Sequence, residues 1–91
     1  IREIDSLASL DKLTDLDLSD NLIENIRPLS KISNLNELRL SHNRIRNINV
    51  LLNFKHLGIV ELDHNLIQPN ENAAARHILT RLAKQGCLIK I

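Results

Sequence analysis

Apolar residues recur along this chain at a fixed interval of 22 positions. Leu13, Leu35 and Leu57 fall in one column, then Leu16, Leu38 and Val60, then Leu18, Leu40 and Leu62. Asn21, Asn43 and Asn65 follow, with Ile23, Ile45 and Ile67 behind them. The rest of the frame pairs Ile26 with Ile48, Leu29 with Leu51 and Ile32 with Phe54. Ile1, Ile4, Leu7 and Leu10 fit the last four apolar columns of a partial first repeat. A period of this length marks a solenoid, in which one repeat cannot bury its apolar face alone and stacking buries it for all.

Each column predicts a piece of local structure. In the L-x-x-L-x-L segment a short strand alternates its faces, so the leucines turn inward and the residues between them outward. The Asn that follows stands where the chain leaves the strand. Its amide both donates and accepts, so it can pair backbone groups that the turn leaves open, and three stacked copies predict a ladder. Beyond it, apolar residues arrive every third position, as in Ile23, Ile26, Leu29 and Ile32. That spacing fits a 3₁₀ or extended return, and Pro28 opposes a regular helix there.

After Ile67 the period ends. Asn70 or Asn72 is a suitable N-cap, and Ala75, Ile78, Leu79 and Leu82 form a helical stripe. Gly86 is a natural stop, and Arg76, Arg81 and Lys84 fall on the polar side. Cys87 to Ile91 then alternates as a last strand with Cys87, Ile89 and Ile91 inward. The expected architecture is α/β: a right-handed solenoid with a short parallel sheet on its concave face, a 3₁₀ or extended convex side, and a C-terminal helix-plus-strand cap. Repeats are expected at 1–12 (partial), 13–34, 35–56 and 57–67, and the cap at 68–91, with its helix at about 72–85 and its strand at 87–91. Ile1 falls mid-repeat, so we expect the C-terminal end of a longer array, or an open strand edge that pairs with another chain.

Composition narrows the chemistry. Of the 91 residues only Phe54 is aromatic, so the core must be aliphatic. A net charge of +1 gives no global pull toward nucleic acid or membrane. The single cysteine excludes an internal disulfide framework and leans toward a reducing, cytoplasmic setting, leaving a secreted or cell-surface one open. No signal-like segment or apolar run of about 18 residues predicts targeting or membrane insertion.

The segment Leu13–Asn34, LTDLDLSDNLIENIRPLSKISN, resembles the leucine-rich-repeat family, in the 22-residue subclass shared by phosphatase-regulatory repeats and bacterial internalins. The resemblance covers residues 1–67 and includes the Ile-x-x-Ile-x-Pro-Leu return. It implies a partner-binding scaffold. The ending lacks the Asn-Pro-Leu and Tyr-Arg cap signature of eukaryotic members and looks more like the endings of bacterial repeat proteins.

Outward strand positions are Asp15 and Asp17, Glu37 and Arg39, Ile59 and Glu61, and Leu88 and Lys90; the adjoining turns add Asp20, His42, Asp63 and His64. Strand-and-turn halves hold Asp15, Asp17, Asp20, Glu37, Glu61 and Asp63 against Arg39 alone, while the returns hold Arg27, Lys31, Arg44, Arg46 and Lys55 against Glu24. The near-neutral total therefore hides an acidic concave face and a basic back. We read the concave face as the site for a protein partner with a basic surface. The alternative is a passive capping segment of a longer receptor or adhesin whose contacts lie upstream. Ile59 and Leu88 are either a small apolar anchor at one end of the groove or simply tolerated exposed residues.

No enzyme is expected. Asp15 and Asp17 lie on an open sheet without a cleft to tune them, Cys87 faces inward, and two glycines cannot build a phosphate loop. Asp20, His42 and His64 share one column whose turns stack about 5 Å apart. Exposure and the lack of a visible supporting shell weigh against a metal there, so we assign neither metal nor cofactor. The basic back carries no interleaved aromatics and reads as a solvated convex face, not a nucleic-acid site.

Overall fold

The computed structural model describes Ile4, Leu7, residues 9–68 and residues 72–91; Ile1 and the Asn70 alternative for the N-cap lie outside these. Three-residue strands β1 (Asp15–Asp17), β2 (Glu37–Arg39) and β3 (Ile59–Glu61) are followed by helix α1 (Ala73–Lys84) and strand β4 (Leu88–Lys90). All four strands pair in parallel in the order β1-β2-β3-β4. Between strands the chain returns through 3₁₀ turns at Arg27–Lys31 and Asn49–Asn53. This is the solenoid that the 22-residue period predicts, with a parallel sheet on one side and 3₁₀ returns on the other.

The columns become the core. Ile23, Leu29, Ile32, Leu35, Leu38, Leu40, Ile45, Leu51, Phe54 and Val60 have no exposed surface. One methylene taken from water is worth about 0.8 kcal/mol, so this aliphatic stack supplies most of the cohesion of a chain whose strands are only three residues long. Leu10 departs from its column. Its equivalents Ile32 and Phe54 are fully buried while Leu10 is 45% exposed, since its coil has a described neighbour on one side only.

The asparagine ladder forms beneath the turns. Asn43 donates from Nδ2 to the carbonyls of Leu18 and Leu40 and accepts at Oδ1 from the Ile23 amide. Asn65 repeats the pattern one coil later with Leu40, Leu62 and the Ile45 amide. Each side chain so ties its own coil to the one before it. Asn25 and Asn47 work more locally, accepting from the amides of Arg27 and Asn49 at the entry to each 3₁₀ turn.

At the C-terminal end Asn72 caps α1, accepting from the Ala75 amide, and Ala75, Ile78 and Leu82 bury the inner face. Gly86, at φ +91°, ends the helix: its amide donates to Ala83 and that of Cys87 to Leu82, the paired bonds of a Schellman turn. Cys87 is buried, and that burial pushes its thiol pKa up. The last strand corrects one expectation. Ile91 is 56% exposed and Ile89 only half-buried. The register ends at the Glu61–Lys90 pair, where the Leu62 amide donates to the Lys90 carbonyl, so Ile91 lies beyond the covered sheet.

Candidate functional site

The sheet register sets the outward side chains in two rows across the concave face. One row runs Asp15, Glu37, Ile59, Leu88; the other runs Asp17, Arg39, Glu61, Lys90. Parallel strands stand about 4.8 Å apart, so neighbours within a row are in reach of each other. The second row alternates in sign from strand to strand. Arg39 donates from Nη1 to Glu37 Oε2 at 3.0 Å, and its Nε lies 3.6 Å from Glu61 Oε2. The one base expected in the acidic half is thus held between two carboxylates. Its other neighbour, Asp17, accepts from the Ser19 amide at 3.0 Å, and that bond, followed by the Ser19 hydroxyl and Arg39, holds the carboxyl below its ordinary range.

The first row has no such balance. It grades from the exposed carboxylate of Asp15 through Glu37 to Ile59 and Leu88, the latter 69% exposed. Ile59 and Leu88 are Cα partners across β3 and β4, so the two apolar residues are adjacent. The concave face is therefore acidic at the β1 side and apolar at the β4 side, with a charge-alternating row alongside.

At the lip of the sheet Asp20, His42 and His64 all take left-handed backbone angles, with φ of 60°, 59° and 58°. Asp and His tolerate that region better than most residues, which explains the shared chemistry of the column. The His42 and His64 rings stack with centroids 4.2 Å apart and planes 12° from parallel. Asp20 does not join them; Asp63 does, its Oδ2 lying 3.8 Å from His64 Nε2. Asp63 is fixed by the buried Ser41, whose hydroxyl donates to Oδ1. That bond is the main reason the Asp63 carboxyl sits below its ordinary value, with Lys90 and His64 adding to it.

The sequence placed Ser41 in the turn without a role. Ser19, Ser41 and Asp63 share one column, and the contact runs from one coil to the next, so the shift of 22 was the available signal. Replacing Ser41 by alanine is expected to return the Asp63 pKa upward toward its ordinary 3.8. A depressed carboxylate contributes stability above its unfolded-state pKa and loses it as pH falls through the folded value. With its folded pKa back near the unfolded value, the variant should lack that contribution at neutral pH, and the upward pKa shift is visible by following the Asp63 carboxyl carbon by NMR titration.

On the opposite side, a recess of about 680 Å³ lies between the two 3₁₀ turns, lined by Glu24, Asn25, Arg27, Ser30, Asn47, Asn49, Val50 and Asn53. It is an open furrow between stacked coils in which polar side chains already cap backbone groups. Arg27, Lys31, Arg44, Arg46 and Lys55 are all exposed on this side. No described helix is long and apolar enough to cross a membrane.

No protein-family profile matches the chain, and no curated protein sequence does. Solved structures do. Internalin C2 of Listeria monocytogenes is 30% identical over 100% of this chain, with a TM-score of 0.79, and the match covers 36% of that protein. An internalin (inlF) of the same organism is 23% identical over 99% of this chain and 31% of its own, with a TM-score of 0.64, a likeness of fold. The chain thus spans about a third of the structures it resembles. With the 22-residue frame, the asparagine ladder and the capping helix in place, this is an internalin-like leucine-rich-repeat protein.

Proposed function

We propose that the chain is a non-catalytic protein-interaction module whose concave sheet face binds a protein partner, with Asp15, Asp17, Glu37, Arg39, Ile59, Glu61, Leu88 and Lys90 as its contact surface and Asp20, His42, Asp63 and His64 along its rim. The observation that carries this reading is the graded first row. Carboxylates at Asp15 and Glu37 run into the adjacent apolar pair Ile59 and Leu88 on one continuous, outward-facing strip. An exposed leucine beside an isoleucine gives a partner a small apolar surface to cover, and the flanking acids select a partner that brings basic residues. Arg39 takes a different part from the one its type suggests. Bound to Glu37 and Glu61, it orders those carboxylates and offers little charge of its own.

The experiment is a pull-down from source-cell lysate with the intact chain and a form in which Asp15, Asp17, Glu37 and Glu61 are lysines. Circular dichroism first establishes that the reversed form folds. A partner captured by the intact chain alone, released by added salt and lost again in Leu88→Lys, supports concave binding. Equal capture by all three forms defeats it and moves the contacts to the convex back. Capture by none favours the second reading, a passive end of a longer array with its contacts upstream.

A further inference from the structure

The rim cluster has a chemistry that the concave strip does not use. We propose that His42, Asp63 and His64 form a binding site for a divalent first-row transition-metal ion of the zinc class. The ligand atoms of the three residues all lie within 4.8 Å of one another. Two imidazoles and one carboxylate are a donor set that suits zinc and its neighbours far better than calcium or magnesium, which want oxygen alone. Metal–ligand distances of about 2.0–2.1 Å put donors in a tetrahedral site about 3.3 Å apart. The cluster has therefore to close by about 1.5 Å at its widest, a movement within reach of side-chain rotation.

The supports for that movement are built into the repeat. Equal left-handed backbone angles at His42 and His64 launch both side chains from equivalent points on adjacent coils. Their rings already overlap at 4.2 Å, and the His64 side chain is 66% exposed, so both can turn without disturbing the core. Asp63 is the fixed member. Ser41 occupies its Oδ1 and leaves Oδ2 on the side of His64, the outer-sphere orientation that metal-binding carboxylates require. Three protein ligands leave a coordination position open to water or to a donor atom from a bound partner.

The test is titration of the whole chain with zinc chloride at pH 7.5, by calorimetry and by NMR of the four histidines. One ion per chain is expected, with the ring signals of His42 and His64 shifting together and those of His56 and His77 unmoved. His42→Asn and His64→Asn each remove a ligand while keeping a residue that accepts the left-handed backbone, so the fold is preserved. Each is expected to weaken binding at least tenfold. Asp63→Asn, which can still accept from Ser41, is expected to weaken it about tenfold. No zinc uptake by the intact chain overturns the proposal, as does uptake that both histidine variants retain or that His77→Asn removes instead.

Discussion

Replacing Asn43 by alanine is expected to destabilise the chain by about 3 kcal/mol, a large share of the roughly 5–14 kcal/mol available to a domain of this length. Asn43 is 6% exposed, and its side chain pairs with two coils at once. Its Oδ1 is the acceptor for the Ile23 amide, and losing it leaves a buried N–H without that partner, at about 1–3 kcal/mol. Its Nδ2 is one of two donors to the carbonyl of Leu18, shared with Asn21, and one of two to that of Leu40, shared with Asn65. Those carbonyls keep one partner each, so their loss adds a smaller amount. Urea denaturation should show a lower midpoint with an unchanged slope. Asn43→Asp separates the two roles, because a carboxylate can accept from Ile23 but cannot donate to either carbonyl. It also sets a buried carboxylate oxygen about 3 Å from both carbonyls, so it is expected to fall at or below the alanine variant, showing that the site needs the donors as well as the acceptor. Asn25→Ala is the control, since Asn25 is exposed and caps a single turn amide. An Asn43→Ala midpoint no lower than that of Asn25→Ala would rule out the ladder as a structural tie.

The same ladder marks how far the sequence could be read. Asn21, Asn43 and Asn65 announce the turn because an amide is the one small side chain able to satisfy donors and acceptors of two neighbouring coils. The strictly repeated apolar columns announce the strands and returns for the same reason: identical coils present identical holes. What the period could not carry is anything set outside it. Leu88 and Lys90 fall 29 residues after Ile59 and Glu61, not 22, so the register of β4 is decided by the length of α1 and its Gly86 turn. Alternation gave the outward parity of Leu88 and Lys90, and said nothing of where the sheet's cover stops, which is why Ile91 was expected inward. Arg39 was counted as an isolated base because a column lists residue types and not the ion pairs made across a row. The Ser41–Asp63 contact was hidden in a column whose members differ, and with it the reason that Asp63, not Asp20, stands with the histidines.

Phe54→Ala is expected to be the most damaging single truncation, at about 3–5 kcal/mol. Phe54 is fully buried, and an aromatic occupies a column that otherwise holds the aliphatic Leu10 and Ile32. Coils of the repeat stack at about 4.8 Å along the sheet, the strand spacing. The return that follows Phe54 is different: in place of another 3₁₀ turn the chain sets down α1, which packs against the turn Asn49–Asn53 and adds Ala75, Ile78 and Leu82 to the same core. A helix axis stands about 8–10 Å from the element beneath it, so the gap to be filled is wider and a larger side chain fits it. On this account the size of residue 54 is expected to answer to the cap junction. Phe54→Ile, which installs the residue of the preceding coil, should leave an unfilled volume and cost about 1–2 kcal/mol. Ile32→Phe, which places the aromatic between two ordinary coils, should cost about 1–3 kcal/mol by overpacking. Thermal and urea unfolding of the three variants decide the matter. Should Phe54→Ile match the parent while Ile32→Phe is tolerated, the coil and cap spacings are equivalent and the aromatic marks nothing. Should both lose stability, the aromatic is fitted to the seam between the last repeat coil and α1.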